Sequence, residues 1–344
     1  MTSFHFGWSP FVSTHQFETD FSKKIKKKML LLLIVAFTLV SILLLVRAVF
    51  EPVFEEFQII AENKLKQFVK FDKSKGEKFD GLLEYFVYGD KMSSKVVIIF
   101  HGHCSSGRIF KLWDKSSFSN CKVICPSLPG WGKSTFTKEV KPSQFSKIIK
   151  KLIEKEKVES FHLIGISVGA TFATSIAQDL LHKVESLTLI APVAPISYLP
   201  KQCSLLERLL FTLVSSSPFK QHFAKFYARK LMEDPVKLAR ENKAGEMIWE
   251  KKLEDFVATE MKRSIKYTLL GLSSFSHLEK WPLKGDRLSK IGKVNIFEAK
   301  NDQLVRSHHT RFYTQVFTNA KHFLVDTDHY GCCLDYFVWI FEQI

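Results

Sequence analysis

Short apolar runs recur along the chain at Lys95-Val96-Val97-Ile98-Ile99-Phe100, Lys122-Val123-Ile124-Cys125, Leu163-Ile164-Gly165-Ile166, Leu187-Thr188-Leu189-Ile190, Val294-Asn295-Ile296-Phe297 and Phe323-Leu324-Val325. A run without polar alternation is covered on both faces, the mark of a strand inside a parallel sheet. Leu82–Tyr88 reads as an earlier strand. Between these runs the period changes. Phe145, Ile148, Ile149, Leu152 and Ile153 fall at helical spacing, the small residues of Ala170–Ala177 coil readily, and Phe337 and Ile340 mark a closing helix. Strands alternating with helices predict an α/β architecture: a mostly parallel central sheet with helices on both faces.

The alternation breaks at 196–290. Phe, Leu, Met and Tyr there keep helical spacing, cut by Pro218, Pro235 and Pro282, so the stretch reads as a helical insertion in a core of 81–195 and 291–344. The segment Met29–Val46 is apolar except for Thr38 and Ser41. Its length is that of a membrane-spanning helix, and we place a transmembrane anchor at 29–50. Lys23, Lys24, Lys26, Lys27 and Lys28 precede it, while only Arg47, Lys64 and Lys66 follow nearby. That bias predicts a single-pass protein with residues 1–28 cytoplasmic and the main domain on the non-cytoplasmic side. A long leading segment and no small-residue cleavage site after Val46 distinguish it from a cleaved signal. Residues 51–80 are Lys-rich and read as a stalk.

The chain has 344 residues and a formal net charge of +15, of which the insertion carries +7. The basic residues are spread rather than clustered with aromatics. No zinc spacing, phosphate loop or RNA-binding signature is present, which argues against nucleic-acid partners and gives no sign of a metal or cofactor. A basic surface fits anionic lipid or an acidic substrate. The six cysteines form no disulfide framework. Cys121 and Cys125 on one strand would sit ~13 Å apart, too far to bridge.

The chemistry centres on Gly165-Ile166-Ser167-Val168-Gly169, where a buried strand gives way to a helix. A serine in so tight a turn is thrust out of the backbone, and the flanking glycines remove side chains that would collide there. Ser167 is the candidate nucleophile. Its hydroxyl needs a base to take its proton, and His329, just past the last strand, is the candidate. Asp302, directly after the run 294–297, is the candidate that orients the imidazole and stabilises its charged form. An oxyanion needs donors: the backbone N–H of Val168 and that of His103, in the loop His101-Gly102-His103-Cys104-Ser105-Ser106-Gly107.

On these residues the chain resembles the serine hydrolase branch of the α/β-hydrolase superfamily, esterase/lipase-like, over roughly residues 80–344. The nucleophile, acid and histidine follow in that family's order. Leu128-Pro129-Gly130-Trp131-Gly132-Lys133-Ser134 looks like its glycine-rich loop, often Asp-x-x-Gly-x-Gly-x-Ser, with Ser127 at the usual Asp. The resemblance implies metal-free hydrolysis of esters, amides or thioesters, and a cap over the site, which residues 196–290 match. The expected activity is cleavage of a small-molecule or lipid carboxylic ester, with the membrane engaged through the N-terminal helix. An acyltransferase using the same triad and a catalytically silent binding module are the alternatives.

Overall fold

The computed structural model describes residues 68–72, 74, 79–103, 105–113, 115–136, 140, 142–195, 258–260, 285–334 and 336–344. The segments 1–28 and 29–50, most of the stalk and most of the insertion lie outside the described residues. Among the described residues no helix is long and apolar enough to cross a membrane.

Among the described residues nine strands form one sheet: β1 (Phe68–Phe71), β2 (Gly81–Gly89), β3 (Val96–Phe100), β4 (Lys122–Pro126), β5 (Thr135–Phe136), β6 (Phe161–Ile166), β7 (Val184–Ile190), β8 (Lys293–Ala299) and β9 (Lys321–Val325). Their order is β1-β2-β4-β3-β6-β7-β8-β9, with β5 alongside β2. From β4 to β9 every neighbour is parallel, while β2 is antiparallel to β1, β4 and β5. Each apolar run named from the sequence is a strand. The sheet also begins earlier than the pattern predicts, because β1 lies within the stretch assigned to a stalk. Its Phe71 and Val69 are buried, yet Lys70 interrupts them and Lys-rich sequence surrounds them.

The helices whose full extent lies among the described residues are α1 (Pro142–Lys155), α2 (Gly169–Asp179), α3 (Gly285–Leu288), α4 (Ser307–Val316), α5 (His329–Cys333) and α6 (Phe337–Glu342). Strand side chains alternate between faces, so β3 divides its apolar run between two cores. Val96, Ile98 and Phe100 join Phe145, Ile148, Ile149, Leu152 and Ile153 of α1 and Phe172 and Ile176 of α2. Val97 and Ile99 join Phe110, Phe118, and Phe337 and Ile340 of α6. Burying each such side chain stabilises the fold by roughly 1.5–3 kcal/mol. A continuous apolar run is therefore what a strand between two cores requires.

The parallel strands β3, β6, β7, β8 and β9 all end at one edge of the sheet. The loops that leave this edge start at His101, Ser167, Ala191, Lys300 and Asp326. In open α/β sheets the crevice beyond the carboxyl ends of the strands is where ligands bind.

Candidate active site

The turn from β6 into α2 holds Ser167 at φ +53°, in the left-handed region. That conformation costs a non-glycine residue about 1–3 kcal/mol and persists only where neighbours enforce it. Here the Ser167 N–H donates to Ile190 O (2.8 Å), and its carbonyl accepts from the N–H groups of Ala170 and Val193 (both 3.1 Å). The two flanking glycines are close approaches. A Cβ on Gly165 would lie 2.5 Å from Ala170 Cα, and one on Gly169 would overlap Phe100 O. The strand, the helix and the end of β3 meet with no room for a methyl group. Val168 caps α2, and its N–H has no acceptor among the described residues.

The loop after β3 presses on this turn. A Cβ on Gly102 would come within 3.2 Å of Ser167 Cβ. His101 is buried (1 % exposed), and its two ring nitrogens are both used. Nε2 accepts from Leu128 N–H (2.9 Å), which leaves the hydrogen on Nδ1, facing Gly102 O at 2.8 Å. Burial lowers the His101 pKa to about 4, so the ring is neutral near pH 7. The His103 ring stands edge-on to Trp131, with centroids 4.9 Å apart. Burial, and then the nearby His101, lower its pKa to about 4 as well. What the loop offers at neutral pH is main-chain dipole rather than imidazolium charge.

Two loops over, Asp302 and His329 meet directly. His329 Nδ1 is 2.7 Å from Asp302 Oδ2, and both residues are 8 % exposed. Asp302 Oδ1 accepts from the N–H groups of Leu304 (2.8 Å) and Val305 (2.7 Å). The loops carrying them are stitched by Asn301 N–H to Thr327 O (2.9 Å) and Lys300 N–H to Val325 O (2.9 Å). His329 is the first residue of α5, which Asp328 caps by accepting Gly331 N–H (2.8 Å). The thiol of Cys332, in the same helix, is pushed up to about 12 by burial and the Asp302 charge, so it stays protonated and is a poor nucleophile.

Of the predicted residues, the structure brings Asp302 against His329, and sets the loop holding His103 against the turn holding Ser167 and Val168. Among the described residues no hydrogen bond joins the Ser167 hydroxyl to the His329 ring. Two further histidines of the core have structural partners. His322 lies within β9 against Glu298 (2.8 Å), and His309 accepts Ala194 N–H (3.1 Å).

One buried group escapes sequence reasoning. The glycine-rich loop lacks its usual aspartate, yet a carboxylate fills the gap from β2. Glu84 is 2 % exposed. Its Oε2 accepts from Ser127 Oγ (2.7 Å) and Lys133 N–H (3.1 Å). Its backbone N–H donates to Ser134 Oγ (3.0 Å), and Ser134 Oγ donates to Ser127 O (2.7 Å). A lone acid inside Leu82-Leu83-Glu84-Tyr85-Phe86 was the available signal.

Among the described residues no group of three or more His, Cys, Asp or Glu side chains could hold a metal ion. A cleft of about 600 Å³ runs along the outer edge of β9, lined by His322, Phe323, Leu324, Val325, Asp326, Tyr336 and Trp339. None of Ser167, Asp302 and His329 lines it, so the cleft is distinct from the candidate active site.

A family model described as alpha/beta hydrolase fold matches residues 95–335. A Mycoplasma pneumoniae protein provisionally named esterase/lipase 3 is 34% identical over 119 residues, 33% of this chain and 42% of that protein. A Mycoplasma genitalium protein provisionally named esterase/lipase 2 is 29% identical over 119 residues, 33% of this chain and 43% of that protein. The chain thus spans less than half the length of these relatives. Among solved structures, an esterase from Exiguobacterium antarcticum superposes with a TM-score of 0.60 at 17% identity, covering 80% of this chain and 97% of that one. A bromoperoxidase from Bacillus anthracis gives 0.57 at 15% identity, covering 78% and 97%. Two such different chemistries on one backbone mean that the fold alone does not fix the reaction.

Proposed function

Because the chain belongs to the α/β hydrolase fold family, we propose that it is an esterase/lipase-type serine hydrolase that cleaves a carboxylic ester. The single observation that carries this reading is the buried 2.7 Å contact of His329 with Asp302, at the sheet edge where Ser167 is held in its left-handed turn. The esterase/lipase names of the Mycoplasma relatives support the choice of ester over other acyl substrates.

In this reading Ser167 Oγ attacks the ester carbonyl carbon as His329 takes its proton at Nε2. Asp302 Oδ2 accepts the Nδ1–H, fixes the tautomer and stabilises the imidazolium. The oxyanion lies against the backbone N–H groups of Val168 and His103. Collapse breaks the bond to the alkoxy group, which leaves as alcohol with the proton from His329. Water, deprotonated by the same ring, then attacks the acyl-enzyme and releases the acid. Proton transfer contributes about 10²–10⁴ in rate, and each oxyanion donor about 10²–10³. The segment 29–50 anchors the enzyme at a bilayer, which fits a lipid-like ester, and the charge bias around it puts the main domain on the non-cytoplasmic side.

A fluorophosphonate probe tests this. Wild-type protein is labelled and turns over p-nitrophenyl esters to free acid, and Ser167→Ala does neither. Full labelling of Ser167→Ala removes the nucleophile. Transfer of the acyl group to an added alcohol, with little free acid, points to the acyltransferase instead.

A further inference from the structure

Residues 258–260 are helical and belong to the insertion. Ala258 packs on the core, and the Glu260 side chain is fully enclosed (0 % exposed). A carboxylate taken out of water is costly unless it is paired and hydrogen-bonded. Both oxygens of Glu260 engage one short stretch of the core. Oε1 accepts from Arg108 Nη1 (2.5 Å), and Oε2 accepts from Ser106 Oγ (2.8 Å). That stretch is the end of the loop that carries His103.

Ser106 is itself buried and caps the 3₁₀ turn Gly107–Leu112 by accepting Arg108 N–H (3.2 Å). The next N–H, that of Gly107, donates to Ser127 Oγ (3.1 Å), whose hydroxyl donates on to Glu84. The downstream end of the 101–107 loop is therefore gripped by two buried carboxylates, one from β2 and one from the insertion. Its upstream end rests on Ser167 through Gly102.

We propose that Glu260 is a positioning residue: through Ser106 and Arg108 it sets the main chain of the 101–107 loop and so holds the His103 oxyanion donor in place. The inference rests on the serine hydrolase reading above.

Glu260→Gln and Arg108→Met, singly and together, test this with a short p-nitrophenyl ester and with hydrogen exchange of the full chain. Each single variant lowers kcat about 10-fold, a fraction of what a whole oxyanion donor is worth. KM stays within about twofold, because the loss falls on the transition state. The double variant is no worse than the singles, because the pair acts as one unit. Amide exchange quickens in the peptide covering 101–113 and nowhere else in the core. Unchanged kcat with unchanged exchange overturns the proposal, and so does loss of protection spread through β3, β4 and β6, which marks a merely structural role. If wild-type protein neither hydrolyses esters nor takes the probe, the hydrolase reading falls and exchange alone decides the tether: local quickening upholds it, and no change ends it.

Discussion

Asp302 uses its two oxygens for different tasks: Oδ2 meets His329 Nδ1 at 2.7 Å, while Oδ1 takes the N–H groups of Leu304 and Val305. The second task fixes the first. A carboxylate bound to its own loop by two amides cannot rotate away from the imidazole without breaking both bonds. An Asp favoured at a turn and an Asp that orients a histidine are thus one residue.

Asp302→Asn leaves an oxygen for the two loop amides but turns an NH₂ toward Nδ1, which forces the imidazole into the other tautomer. We expect kcat for esters to fall by about 10⁴ with little change in thermal midpoint. A rate within tenfold of wild type would remove Asp302 from the mechanism.

His101 makes stability depend on pH. Its pKa is about 4 in the fold against an ordinary 6.5, because burial opposes the charged ring. Between these values the unfolded chain binds a proton that the folded one refuses. The contribution is therefore intact above pH 6.5 and is lost as pH falls toward 4, by roughly 3 kcal/mol at most. Urea midpoints measured across that window should fall less steeply for His101→Gln than for wild type. Parallel slopes would show that the ring does not stay neutral. His103, shifted the same way, accounts for part of the remaining slope.

Gly169→Ala places a methyl group on the carbonyls of Phe100 and His101, which cannot swing aside as a side chain end would. We expect a loss of about 1–3 kcal/mol, read as a lower thermal midpoint. Gly292→Ala is the contrast, since its Cβ meets nothing within 4 Å. That variant should be unchanged, or steadier by up to ~1 kcal/mol.

Glu84→Gln withdraws the charge that holds the glycine-rich loop and should cost about 1–3 kcal/mol in urea denaturation. Ser127→Asp alone sets two carboxylates against each other and should be destabilised too. Combined, they move the charge to the position where the family usually keeps it, and the double variant should recover most of either loss. Strict additivity would show that Glu84 does not stand in for the missing aspartate.

The long strands were legible because a segment between two cores has apolar residues on both faces, as in Val96–Phe100. The stripe of α1 was legible from period alone. Strand β1 was not, since Phe68-Val69-Lys70-Phe71 is four residues long, lies at the sheet edge and sits in Lys-rich sequence. Nor was β5, two residues paired only with β2. Ser167, Asp302 and His329 stood out because each follows a readable strand. Glu84 and Glu260 did not, because their roles are set by partners far away in sequence: Glu260 lies 154 residues from Ser106. No local pattern marks an acid that is enclosed only after folding. The expected span Met29–Val46 lies outside the described residues.

Ser167 occupies a backbone conformation that suits glycine, and the chain enforces it with three hydrogen bonds. Relaxation of that turn by a glycine would yield a sturdier protein with no hydroxyl to offer. The serine is thus a standing compromise, retained against the conformational preference of its own peptide unit. Searches for more heat-resistant variants of this domain should drift toward residue 167 and, on the serine hydrolase reading proposed above, stop short of it, because the easiest gain in durability there removes the proposed nucleophile.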